Sequence, residues 1–268
     1  MDKKLKEKFI SKTLLSLEKL QQLHIQIKDI HISVSKLYPV TLVENNTFYV
    51  FDLNESGEKY EYKLESPTPM PIPKGVLAAF PLDFYYGKSS AIISDKAFNS
   101  LEGYIFIFHE FVHCYQWENG ERDIRTILGI ERKYKEENNY MWEINHPFPY
   151  EDMVFVNKSI ELEDYFEQEN IGRVISYYRQ MRDRLNKLDY EYMIWQEWKE
   201  GFARYIENLI RNRVGLKPNV TKLQPKFNRV SFYEIGSKYI YLLIKNNPHL
   251  RNDIKGLYCK MFNDINNF

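Results

Sequence analysis

Cysteine is scarce in this chain, and that scarcity excludes one class of protein at once. Cys114 and Cys259 are the only two in 268 residues, too few for a disulfide framework to hold a secreted fold of this size. Excess charge is also missing: 37 Lys and Arg balance 37 Asp and Glu. A nucleic-acid binder carries a basic surplus or a basic patch, whereas short basic runs such as MDKKLKEK alternate with acids. No stretch approaches the roughly 20 apolar residues of a membrane span. The charged N-terminus is not followed by the apolar run of a signal peptide, because FISKTLLSLEKL is broken by Lys and Ser at helical spacing. Internal repeats and low-complexity segments are absent too. The expectation is a soluble, cytoplasmic protein that engages neither nucleic acid nor membrane.

What the chain does have is apolar and aromatic material. Hydrophobic residues make up 44%, with 21 Tyr, 17 Phe and 4 Trp, enough to build the core of one large domain or two small ones. Leu5, Phe9, Leu14, Leu17 and Leu20 recur at helical spacing, which predicts an amphipathic helix over residues 3–23. TFYVFDL, the turn NESG and EKYEYKL then read as a β-hairpin. SPTPMPIPK, residues 66–74, holds four prolines and reads as an extended connector. GVLAAF and SAIIS read as strands. A helix is predicted from Lys96 to Trp117, capped by Ser94 or Asp95, and beyond Gly120 the pattern is helical apart from the loop NHPFPYED. The class is α+β, a small sheet early and helices late. Residues 1–66 are expected to flank a cleft, and 67–268 to carry the chemistry, within what can be one continuous domain.

The chemistry centres on FHEFVHCYQ, residues 108–116. Helix positions four apart lie about 40° apart around the axis, so His109 and His113 point the same way and can share one ion. Glu110 is rotated by about 100°, placed to face a water on that ion from the side. Zinc hydrolases use His-Glu-x-x-His for this reason: the imidazoles hold the metal and the carboxylate accepts the water's proton. The rest of the helix is apolar nearly all round, leaving one narrow polar stripe of Glu102, His109, His113 and Gln116. A buried polar group without a partner costs roughly 1–3 kcal/mol, so the stripe needs a metal, other side chains or a wet cleft. A solvated face would more naturally carry Lys and Arg. Cys114 points about 100° away from His113 and reads as a core thiol.

A catalytic zinc takes three protein ligands and one open position. A third His six residues beyond His113 would require His at 119, which is Asn119, and no Gly-Thr-x-x-Asp segment occurs. A glutamate from a later helix remains, and WQEWKEGFARYIE, residues 195–207, supplies candidates. Gly201 stands out there, since glycine inside a helix costs about 1 kcal/mol relative to alanine. Small residues at 201 and 203 allow a close approach to another backbone. His109-Glu110-x-x-His113 followed by Trp198-x-Glu200-Gly201-Phe202-Ala203-x-Tyr205-x-Glu207 resembles the gluzincin metallopeptidases, with Gln116 also in keeping. The resemblance spans about residues 76–245 and rests on two segments. It implies a zincin-like fold, one zinc ion held by His109, His113 and Glu200, and Glu110 as base. The long insertion between the second His and the Glu departs from the aminopeptidase branch, whose Gly-rich exopeptidase strand is not seen. Glu197, three residues earlier, is the competing ligand; the small residues that follow Glu200 favour the latter.

Supporting groups follow from the same chemistry. The oxyanion of peptide hydrolysis needs a donor besides the metal. Tyr233, one turn before Gly236, resembles a tyrosine position of several gluzincins, and His146 is a second candidate. Glu207 and Glu102 can orient the histidine N–H groups. The strand SAIIS could pair with an extended peptide, by analogy of fold. The expected function is a zinc-dependent hydrolase, a metallopeptidase with a peptide or protein substrate. The alternatives are a zincin-like binding scaffold without catalysis and a zinc hydrolase of a non-peptide amide or ester.

Overall fold

The computed structural model describes residues 2–73, 75–224 and 226–263. The chain forms two compact units, Met1–Glu118 with Leu209–Lys217, and Asn119–Asn208 with Pro218–Phe268.

The first unit begins with helix α1 (Lys3–Ile27), longer than the expected 3–23. Its buried stripe is Thr13, Leu17, Leu20, Leu23 and Ile27, while Leu5 stays exposed. The five strands are β1 (Val40–Glu44), β2 (Thr47–Leu53), β3 (Tyr60–Pro67), β4 (Leu77–Leu82) and β5 (Lys88–Ile93), in the order β3-β2-β1-β5-β4. The predicted hairpin is β2–β3. β1 is an addition to the expected strands, tied to β2 by Asn45 and Asn46 at φ 48° and 57°. Two consecutive left-handed residues are what a two-residue hairpin turn requires, and Asn tolerates them.

Strand alternation gives the sheet two apolar faces. Phe48, Val50, Leu82, Tyr85 and Ile92 make a small core on one of them, with Ile72 of the proline-rich connector and Val76 just beyond it packed against it. On the other, the Phe9 ring of α1 meets Tyr49 edge-on at 5.0 Å. β5, which holds SAII, lies between β1 (parallel) and β4 (antiparallel). Both of its edges are taken, so the expected peptide pairing at SAIIS is corrected: the edge strand on this side is β4.

Helix α2 (Leu101–Gln116) packs on β4 and β5. It starts later than the sequence pattern suggests. Asp95–Asn99 is a separate 3-10 turn, Ser100 is extended at φ −148°, and the Ser100 hydroxyl accepts from the Gly103 N–H at 3.1 Å. The cap is therefore Ser100, not Ser94 or Asp95. A Cβ on Gly103 would lie 2.1 Å from the Ala97 carbonyl oxygen, so glycine is what lets the helix start against that turn. After Gln116 the chain takes a π-helical turn, Trp117–Glu121.

The second unit is helical: α3 (Arg122–Ile127), α4 (Gly129–Glu136), α5 (Trp142–Asn145), α6 (Met153–Glu167), α7 (Ile171–Arg184), α8 (Lys187–Arg213, whose last turn belongs to the first unit), α9 (Arg229–Asn246) and α10 (Ile254–Asn263). Phe148 of the NHPFPYED loop packs edge-on against Phe155 and Phe232, both at 5.1 Å. That loop is thereby anchored in an aromatic core. α8 and α9 cross at Gly201 and Gly236. A Cβ on Gly201 would meet the Gly236 Cα at 2.6 Å, and one on Gly236 would meet the Glu197 carbonyl oxygen at 2.1 Å. The close approach expected of Gly201 is real, and the backbone it meets is that of α9. Among the described residues, no helix is long and apolar enough to cross a membrane.

Candidate metal centre

The polar stripe of α2 is buried from His109 onward, while Glu102 at its start is exposed. His109 and His113 are 4% and 7% exposed and Gln116 is fully covered, so the stripe is not a solvated face. The two imidazole centroids lie 4.9 Å apart with planes at 75°, the arrangement expected for positions four apart on one helix. Gln116 sits one turn further on, and its Oε1 accepts from His113 Nδ1–H at 2.9 Å. Because an amide oxygen can only accept, this bond puts the His113 proton on Nδ1 and makes Nε2 the unprotonated ring nitrogen.

Glu200 completes a group with these two. His109, His113 and Glu200 each offer a ligand atom, and those atoms all lie within 4.8 Å of one another. Two imidazole nitrogens and one carboxylate oxygen, mostly buried, are a donor set suited to a divalent transition ion. The residues present therefore fit a metal. Glu110 is 6% exposed and follows His109 directly on α2.

Glu197 has a different fate. It is completely buried, and its Oε2 accepts from the Tyr178 hydroxyl of α7 at 2.7 Å. Burial pushes its carboxyl up to about 8, against the smaller opposing effect of the tyrosine bond. Its second oxygen has no hydrogen-bond partner among the described residues. Glu197 is thus a protonated interior acid and not part of the metal group.

His146 is likewise reassigned. It is buried at 7% exposure, its Nε2–H donates to Asp189 Oδ1 at 2.7 Å, and its Nδ1 accepts from the Tyr134 hydroxyl at 2.9 Å. Burial lowers its pKa despite the neighbouring Asp189, so it is a neutral, doubly bonded ring that ties the loop to α8 and α4. With both nitrogens engaged it has no N–H for an oxyanion. Glu102 is exposed in the first turn of α2, two turns from His109, too distant along the axis to orient the ring. Glu207 is fully buried; its Oε1 accepts from Asn219 Nδ2 at 2.8 Å and its Oε2 lies 3.2 Å from Arg204 Nε.

Tyr233 is half-buried on α9, one turn before the Gly236 crossing. Two guanidinium groups flank its ring, Arg229 at 5.6 Å and Arg204 at 6.0 Å from the centroid. Arg229 also lies within electrostatic reach of Glu200. The sequence reading passed over Arg229, although it stands four residues before Tyr233 on the same helix face. It also gave no specific role to Gln116.

No protein-family model, no curated protein and no solved structure matches the chain.

Proposed function

We propose that this chain is a zinc-dependent hydrolase of the gluzincin type that cleaves peptide bonds. The observation that carries the reading is the convergence of His109, His113 and Glu200, combined with Glu110 beside the first histidine. A zincin-like scaffold is supported by α2 packed on the sheet, with the third acid drawn from a later helix.

Zinc in this group would supply a Lewis acid and a water acidified to near neutrality. His109 and His113 would hold it through ring nitrogens, and the Gln116 bond selects Nε2 of His113. Glu110 would accept the proton of the attacking water and return it to the leaving amine. The Tyr233 hydroxyl would donate to the oxyanion. An extended substrate would pair along the outer edge of β4, where Leu77 and Phe80 are exposed.

Metal content and turnover of a broad peptide library test this together. The expected result is one zinc per chain and peptide cleavage. Glu110→Gln should keep the zinc and lose activity by about 10²–10⁴-fold, while His113→Ala and Glu200→Ala should lose the metal. Wild type with zinc but with no more activity than Glu110→Gln removes the enzyme claim, and purified protein without zinc removes the metal claim.

A further inference from the structure

The structure assigns Arg229 as the receptor of a substrate carboxylate beside the metal group, so that the favoured peptides present a free carboxylate. This rests on the hydrolase reading above and adds a substrate class to it.

The assignment rests on the contrast between Arg229 and four other arginines, Arg125, Arg184, Arg204 and Arg213. Arg125 pairs with Glu121, Glu131 and Glu143, Arg184 with Asp152, and Arg213 with Asp29. Arg204, also near the Tyr233 ring, donates to the Asn219 carbonyl at 3.1 Å and lies by Glu207. Arg229 is half-buried yet has no hydrogen bond and no ion pair among the described residues. Around it lie the Tyr233 ring, Tyr192, Tyr150 and the Glu200 carboxylate. The aromatic groups are occupied elsewhere: the Tyr150 and Tyr192 hydroxyls bond each other at 3.1 Å, and Tyr192 also donates to the Glu143 carbonyl.

A guanidinium carries five donors in a planar fork and cannot shed its charge. Leaving those donors unmade in a half-buried aromatic setting is unfavourable. Glu200 is a poor permanent partner, because its carboxylate belongs to the metal group. With a divalent ion in place the Glu200 and Glu110 carboxylates balance its charge, and Arg229 leaves the group net positive. The missing member is an anion of fork-matching geometry, and a carboxylate satisfies that bidentately. It arises from a peptide's C-terminus or from an Asp or Glu side chain.

The test uses the full-length, zinc-loaded chain and two readouts. In turnover, an N-acetylated peptide library with free C-termini is compared with the same library amidated, and an amidated library with fixed internal Asp or Glu is the third arm. In binding, calorimetry on the Glu110→Gln protein compares N-benzoylglycine with its amide, with and without zinc. Wild-type Arg229 should favour the acid over the amide at least about tenfold in both readouts. Arg229→Gln should bring the two within about twofold, and Arg229→Lys, which keeps the charge without the fork, should fall between. Preference for the internal-acid library identifies a side-chain carboxylate as the source. Equal handling of acid and amide by wild type, binding of neither, or an unchanged preference in Arg229→Gln overturns the assignment. So does a loss of turnover in Arg229→Gln that is the same for acid and amide, which would mark a role in holding Tyr233 instead. Zinc content and library turnover judge the hydrolase reading separately. A chain that cleaves both forms equally keeps that reading and loses the carboxylate site. A zinc-bound chain that cleaves neither, yet binds the acid over the amide, does the reverse.

Discussion

Glu197 and Glu200 stand three residues apart on one helix and serve opposite ends. Glu200 joins two imidazoles; Glu197 is sealed among Tyr177, Tyr178 and Tyr190, whose ring environments it influences. The interior acid leaves a mark on stability. Burial raises its pKa from 4.5 to about 8 in the folded chain, so between those values the folded state holds a proton that the unfolded state has released. Stability is then fully present below about pH 4.5, falls as pH rises through 8, and is level above it. Glu197→Gln should flatten that slope and raise the melting temperature above pH 8, a gain on the order of a few kcal/mol; melting curves from pH 5 to 9 check it, and parallel curves for the two proteins would refute it. Glu200 was favoured over Glu197 in the sequence because small residues follow it, although Gly201 meets α9 and not the histidine helix. The burial of Glu197 was not legible, because its partner Tyr178 comes from α7 and no local pattern shows which helix will cover a given face. His146 misled for the same reason: a loop histidine among prolines looks exposed until Asp189 and Tyr134 are seen to hold both nitrogens.

At the level of elements, the crossing of α8 and α9 sets the register of the site. Gly201 follows Glu200, and Gly236 lies one turn after Tyr233 and two after Arg229. Seating one glycine on the other brings that face of α9 alongside Glu200. Gly236→Ala would drive a methyl to within 2.1 Å of the Glu197 carbonyl oxygen. The helices must separate, at a cost of about 1–3 kcal/mol that the better helix propensity of alanine, about 1 kcal/mol, offsets in part. Chemical denaturation should show a net loss, and zinc affinity and turnover should fall with it; unchanged stability and turnover would mean the crossing is slack. Sequence periodicity located α1 and segments of α2, α8 and α9, while α6 and α7 were legible only as part of one helical stretch; a glycine inside α8 announced a close contact without naming its partner. The failures came where local pattern is short. β1 has five residues, but its asparagine pair was a readable hairpin signal. The start of α2 moved to Ser100 because Gly103 and Ala97 pack against each other, a tertiary effect that capping preferences do not contain.

Across the whole molecule, the two units draw on different sources of stability. The first rests on a sheet with apolar residues on both faces. The second combines an aromatic interior with a charge network, in which Glu143 accepts from Lys199 and Arg125, and Arg125 also donates to Glu121 and Glu131. Burial alone would raise the Glu143 carboxyl; Lys199 and then Arg125 outweigh it and hold the group down to about 2. Its contribution is present above about pH 4.5 and is lost as pH falls through 2. Glu143→Gln should cost about 1–3 kcal/mol at neutral pH, reduced from the fully buried case because the side chain is 21% exposed. The difference from wild type should shrink on acidification, and acid titration of both proteins by circular dichroism would reveal a constant gap if the network were idle. The parallel pairing of Val40 with Ala91 bears on how such a chain is made. β2 and β3 can assemble on β1 as soon as they emerge from the ribosome, but the other flank of β1 waits for a segment synthesised much later, so closure is slow. A nascent or truncated chain that stops before Lys88 exposes that flank, and joining with a second copy through it is the hazard such a fragment faces.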